Sequence, residues 1–118
     1  MSIDILFHCK YDIKNYNCAH FVADTWLLET GKDITEKLQG FLFPPKNRLV
    51  PFSLRHEFIK LDKPKSPCIV IMRRPKYPPH VGTYLRGKIF HIQENGPQYQ
   101  PLDVAMIGFS TVRFYICK

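Results

Sequence analysis

His80-Val81-Gly82-Thr83-Tyr84-Leu85-Arg86-Gly87-Lys88-Ile89-Phe90-His91-Ile92-Gln93 is the stretch that decides the fold. Two apolar-rich runs, His80 to Leu85 and Lys88 to Gln93, flank Arg86-Gly87, a plausible two-residue hairpin turn. That turn sets Leu85 opposite Lys88, Gly82 opposite His91 and His80 opposite Gln93. Side chains on one face of an antiparallel pair repeat every second residue, so His80, Gly82 and Tyr84 share a face with Ile89, His91 and Gln93. His91 then lies diagonal to His80 and Gln93 directly across from it. Either partner can fix the ring and tautomer of His80, and Gly82 between the histidines is expected to leave room for a closely packed helix end.

Around this hairpin the second half of the chain reads as strands. Cys68 to Arg73 is a short apolar run of the kind found in buried strands, followed by Pro75, Pro78 and Pro79. Asn95-Gly96-Pro97 reads as a further turn. In Thr111 to Cys117, Val112, Phe114 and Ile116 alternate with Thr111, Arg113 and Tyr115, giving a last strand.

The first half supplies a helix. Asn17 is a good N-cap, Cys18 to Thr30 holds no Gly or Pro, and Gly31 is a natural residue just past the end. Cys18, Phe21, Val22, Thr25 and Leu28 fall on one helical face with Trp26 and Leu27 beside them, as a core-packing helix requires. Asp33-Ile34-Thr35-Glu36 fits a capping box for a short helix ending near Gly40. From Phe41 to Pro67 the chain holds five of its ten prolines and reads as a loop-rich connection. Within it only Ser53 to Leu61 reads helically, through Leu54, Phe58 and Leu61. The plan is α+β, with a cysteine-bearing helix packed on an antiparallel sheet, in a single domain spanning residues 1–118.

Composition narrows the partners. Lys and Arg number 17 against 10 Asp and Glu, a net charge of +7 that favours anionic partners such as cell-wall polymer, acidic protein or nucleic acid. The basic residues are scattered, as on a solvated face, which places a nucleic-acid groove last among these. No run approaches the roughly 20 apolar residues of a membrane span. Met1-Ser2-Ile3-Asp4 lacks the form of a secretory signal, so the expected place of synthesis is the cytoplasm, with any route to an envelope or a virion supplied by something else. The four cysteines, Cys9, Cys18, Cys68 and Cys117, show no metal or redox spacing. Neither a metal nor an organic cofactor is expected.

Cys18 and the histidines carry the chemistry. A thiol at a helix start is a nucleophile once deprotonated, and the helix N-terminus favours that negative charge. His80 can take the proton and return it to a leaving group, while His91, or alternatively Gln93, orients the ring. The Cys18 backbone N–H is the expected oxyanion donor, because the amides of a first turn are unpaired. Tyr11, Tyr16, Asn17 and His20 are candidate oxyanion or groove residues, His20 with a structural role as its alternative. A lone cysteine on an apolar face usually packs and a strand histidine is usually structural. The joint fit of cap, cysteine, paired histidines and intervening glycine distinguishes Cys18, His80 and His91 from His8 and His56.

These segments resemble the NlpC family of papain-fold cysteine peptidases, the bacterial and phage cell-wall endopeptidases. Asn17-Cys18-Ala19-His20-Phe21-Val22 matches that family's Asp-Cys-Ser-Gly-Phe-Val-like helix start. His80-Val81-Gly82-Thr83-Tyr84-Leu85 matches its His-Val-Gly-Ile-Tyr-Leu strand, and Phe90-His91 its following Ile-His. Pro67-Cys68-Ile69-Val70 stands where Gly-Asp-Ile-Val is usual, and Ala19-His20 replaces a small Ser-Gly pair. The likeness covers roughly residues 11–118. It implies a papain-like fold and hydrolysis of peptidoglycan stem peptides by a γ-D-glutamyl-diamino-acid endopeptidase or amidase. Val22-Ala23-Asp24 and Thr30-Gly31 look most like small tail-associated phage and prophage members, which implies tail proteins as partners and admits a catalytically quiet assembly component. The Asn-Cys-x-His-Phe-Val string is also similar to the lecithin–retinol acyltransferase group, whose permuted order places the histidine strand first. Here Cys18 comes first, which favours the peptidase plan over an acyltransferase or lipid-directed thiol hydrolase.

Overall fold

A computed structural model describes residues 3–12, 15–38, 58–77 and 79–117. After a 3₁₀ turn at Ile3–His8 come helix α1 (Cys18–Thr30) and a second 3₁₀ turn at Thr35–Leu38. Strands β1 (Phe58–Leu61), β2 (Cys68–Arg73), β3 (His80–Leu85), β4 (Lys88–Gln93) and β5 (Gly96–Pro101) follow, then a short helix α2 (Leu102–Met106) and β6 (Thr111–Cys117). The strands form one antiparallel sheet in the order β1-β6-β2-β3-β4-β5. The molecule is therefore α+β, with one principal helix packed on a six-stranded antiparallel sheet.

The β3–β4 hairpin has the expected register: Leu85 pairs with Lys88, Tyr84 with Ile89 and Thr83 with Phe90. Its two turn residues both have positive φ, 52° at Arg86 and 86° at Gly87, the twist that two-residue hairpins require. Arg86 is held by its guanidinium on Glu29 and by its N–H on Ser66 Oγ at 2.9 Å.

The central strands β2, β3 and β4 are buried on both faces of the sheet. On one, α1 sets Ala19, Val22, Ala23 and Trp26 against Ile69, Ile71 and Val81, and Phe21 against Leu85, Phe90 and Ile92. The buried face of α1 is thus broader than its sequence pattern suggests, while Leu27 is exposed. On the other face Val70, Met72 and Ile89 pack with Ala105 of α2 and with Phe109, Val112 and Phe114. Burying side chains of this size stabilises the fold by about 1.5–3 kcal/mol each.

Three local expectations need correction. Phe58–Leu61 is a strand, not the end of a helix, because it pairs residue by residue with β6 and that distant partner overrides a helical spacing; residues 53–57 lie outside the described residues. The segment after α1 is a 3₁₀ turn rather than a boxed helix. Asp33 Oδ1 accepts from the Thr35 N–H at 3.0 Å and the Thr35 hydroxyl at 2.6 Å, and Gly40 lies outside the described residues. The turn after β4 is Glu94-Asn95, with Gly96 already paired to Gln93 at the start of β5. Pro97 and Pro101 are tolerated because β5 is an edge strand.

Candidate active site

The imidazole half of the site is a hydrogen-bonded chain across three strands. His80 Nε2 lies 2.9 Å from His91 Nδ1, and His91 Nε2 lies 2.9 Å from Gln100 Oε1. Each contact is diagonal. Gln98 is the residue paired with His91 and Gln100 is paired with Ile89, so Gln100 reaches His91 from the same face, two residues away. His91 is almost fully buried, with 1% of its surface exposed, whereas His80 begins its strand and is half-buried. Gln93 makes no hydrogen bond to His80 among the described residues, so His91 takes the orienting position.

The chain assigns the tautomers. An amide oxygen only accepts, so His91 Nε2 carries the proton given to Gln100. His91 Nδ1 is then a lone pair and accepts the Nε2–H of His80. That leaves the Nδ1 of His80 as an unprotonated nitrogen with no hydrogen-bond partner among the described residues. Both rings are held neutral. Burial first, then the neighbouring His91 and the charge of Arg74, push the pKa of His80 down to about 3. Burial also lowers that of His91, against a smaller opposing effect of the Gln100 bond.

Gly82 serves this chain rather than the helix. A Cβ at Gly82 would meet His91 Cβ at 3.0 Å, Ile89 Cγ2 at 3.3 Å and Met72 Cε at 3.3 Å, all on the face away from α1. The expected room for a helix end is therefore room for the His91 side chain as it crosses toward His80.

The thiol half is built by helix capping. Asn17 Oδ1 accepts from the N–H of Ala19 at 2.9 Å and of His20 at 3.4 Å, and the Phe21 N–H bonds the Asn17 carbonyl at 3.2 Å. The His20 ring closes the box by accepting the Asn17 N–H on Nδ1 at 3.0 Å, and it stacks on Tyr16 with centroids 5.7 Å apart. Asn17 and His20 thus shape the helix start. These bonds occupy the N–H groups of Ala19, His20 and Phe21, while the Cys18 N–H acts on its own sulfur.

Cys18 packs against both core clusters on the α1 face and reaches the sheet at β3, where the N–H of Val81, the residue after His80, attracts the sulfur. Burial pushes the thiol pKa up, and the amides of Val81, Ala19 and Cys18 itself only partly offset it. Desolvation therefore wins over the helix N-terminus, and the resting group is a neutral thiol. Among the described residues no hydrogen bond joins Cys18 to either histidine, so the resting structure holds no thiolate–imidazolium pair.

The two tyrosines separate. Tyr11 stands within electrostatic reach of Cys18; burial, then a Cys18 thiolate and Glu94, raise the pKa of its hydroxyl, which stays protonated and able to donate. Tyr16 is engaged elsewhere. Its hydroxyl bonds Asp24 Oδ2 and lies 3.3 Å from Cys9 Sγ, and burial together with the Asp24 bond raises its pKa strongly. Gln100 is the site residue that sequence reasoning missed. The signal was present, since carrying the alternation of β4 through a two-residue turn at Glu94-Asn95 places Gln100 on the face of His91.

Among the described residues no group of three His, Cys, Asp or Glu side chains could hold a metal ion, and no helix is long and apolar enough to cross a membrane. No family model, curated protein or solved structure matches the chain.

Proposed function

We propose that this chain is a papain-like thiol hydrolase that cleaves amide bonds, with peptidoglycan stem peptides cut at a γ-D-glutamyl-diamino-acid bond as its substrate class and a phage tail as its setting. The observation that carries the reading is the Gln100–His91–His80 chain, which leaves the His80 Nδ1 lone pair free to act as a base. The residue resemblance around Cys18 and His80 supplies the substrate class. In the reaction, Nδ1 takes the Cys18 proton as Sγ attacks the amide carbonyl carbon, and the oxyanion is met by the Cys18 N–H. The tetrahedral species collapses with transfer of the Nδ1 proton to the leaving amine, leaving a thioester. Water, deprotonated by Nδ1, then hydrolyses the thioester and returns the thiol. Cys18 lies on the α1 face and the imidazole chain on the opposite face, so the reaction requires the His80 ring, at the first residue of β3, to turn past the start of the strand toward Sγ in the substrate complex.

The test is release of a free amine from synthetic γ-D-glutamyl-diamino-acid peptides, by wild type and by Cys18→Ala. Hydrolysis that disappears in Cys18→Ala supports the reading; hydrolysis that persists in the variant contradicts it. A second reading, a catalytically quiet assembly protein of a phage tail, is favoured by the neutral resting thiol and its lack of a bond to His80. Stable association with tail proteins, together with a thiol whose reactivity ignores His80, would establish that reading instead.

A further inference from the structure

Arg74 follows β2 immediately and is exposed, yet its side chain is placed with care. The guanidinium carbon lies 4.0 Å from the centroid of the Tyr77 ring and 5.7 Å from that of Phe109. Phe109 in turn stacks on the His80 imidazole, with centroids 5.7 Å apart and planes within 6° of parallel. The corner is fastened: the Arg73 carbonyl accepts from the Ser110 N–H at 2.7 Å and the Ser110 hydroxyl at 3.0 Å. A cation is thus mounted on two aromatic rings at the rim of the imidazole chain, on the face of the sheet away from α1.

Among the described residues this cation meets no anion. Arg86, the other well-placed arginine, gives its guanidinium to Glu29. Among the described residues no carboxylate and no hydrogen-bond acceptor faces the guanidinium of Arg74. Ring stacking engages the face of a guanidinium and leaves its edge donors free, and those donors match a carboxylate bidentately. An unneutralised positive charge beside His80 also opposes formation of the imidazolium that acid–base chemistry needs, an opposition that a bound anion would remove.

We propose that Arg74, carried on Tyr77 and Phe109, is a carboxylate-binding site beside His80, and that its ligand is a carboxylate that the substrate extends past the start of β3 to the sheet face opposite Cys18. The assignment of that carboxylate to a substrate rests on the hydrolase reading; the anion site itself does not. Arg74 selects substrates with a free carboxylate over those in which it is amidated, and binding there neutralises the charge that disfavours protonated His80.

The experiment is an NMR titration of the full chain with N-acetylglycine and, separately, with N-acetylglycinamide, which differ only in carboxylate against amide. The His80 ring and the Arg74 side chain are observed in wild type, Arg74→Gln and Arg74→Lys. Saturable shifts are expected with the acid alone, weakened about three- to tenfold in Arg74→Gln and less in Arg74→Lys, in keeping with an exposed charge-assisted pair. Equal shifts with acid and amide, or binding of the acid unchanged in Arg74→Gln, would overturn the site. Alkylation of Cys18 in wild type and His80→Ala, run alongside, separates the two ideas. Carboxylate binding with a His80-independent thiol retains the anion site and rejects the hydrolase, and the reverse pattern rejects Arg74 alone.

Discussion

The two halves of the candidate site are held by opposite means. Around His80 the ring nitrogens are fixed by hydrogen bonds that run strand to strand, each at 2.9 Å, through a buried His91 to Gln100. Around Cys18 the capping bonds are made by its neighbours Asn17, Ala19 and His20, while the sulfur itself is positioned by packing and by backbone amides. The contrast teaches where each half is vulnerable. The imidazole half depends on an unbroken polar chain in a buried place, where an unpaired group is costly. The thiol half depends on the geometry of one helix turn and is open to adjustment when something binds.

The largest effect should come from breaking the imidazole half at Gly82. Gly82→Ala forces a Cβ against His91, Ile89 and Met72 and should cost about 1–3 kcal/mol by overpacking. Urea unfolding reads this cost, and loss of the His80–His91 bond should accompany it in the ring nitrogen shifts. A smaller effect is expected one link further out. Gln100→Leu removes the acceptor from His91 and should cost about 1 kcal/mol. Its diagnostic result is a change of the His80 tautomer in nitrogen-15 spectra, restored in Gln100→Glu, which keeps an acceptor. A tautomer unmoved by Gln100→Leu would remove Gln100 from the chain. In the thiol half, Asn17→Ala should cost a similar ~1 kcal/mol by loss of the cap while leaving the His80 tautomer as it was.

The same comparison has a pH signature. His80 is held down to about 3 and His91 is also lowered, so below the ordinary histidine range the unfolded chain binds more protons than the folded one. Stability is then fully present above about pH 6.5 and falls as pH drops toward 3. Thermal unfolding between pH 7 and pH 4 should show this decline, and His80→Ala should flatten it. A decline of equal slope in the variant would assign the effect to other groups.

How much of this was legible in the sequence follows from the range of each interaction. The hairpin register could be read because a two-residue turn and period-two alternation fix it within a dozen residues of chain. The cap at Asn17 was equally local. Gln100 is not legible because Gly96–Pro101, with a proline near each end, has weak strand character and starts at a turn signal. Phe58–Leu61 was misread because its partner is nearly sixty residues away in β6. The neutral state of Cys18 was invisible for a different reason: a helix start argues for a thiolate, and only the packed structure shows that burial outweighs it.

The most direct test of the central claim, that His80 serves Cys18 as a base, is the rate of Cys18 alkylation by iodoacetamide against pH in wild type and His80→Ala. The half-buried thiol Cys9 provides the reference within the same chain. The account predicts that Cys18, a buried neutral thiol at rest, alkylates slowly at neutral pH, and that this rate, assisted by His80 as a base, falls at least roughly tenfold when His80 is removed, with Cys9 unchanged. A single thiol titration, identical in the two proteins, would contradict it.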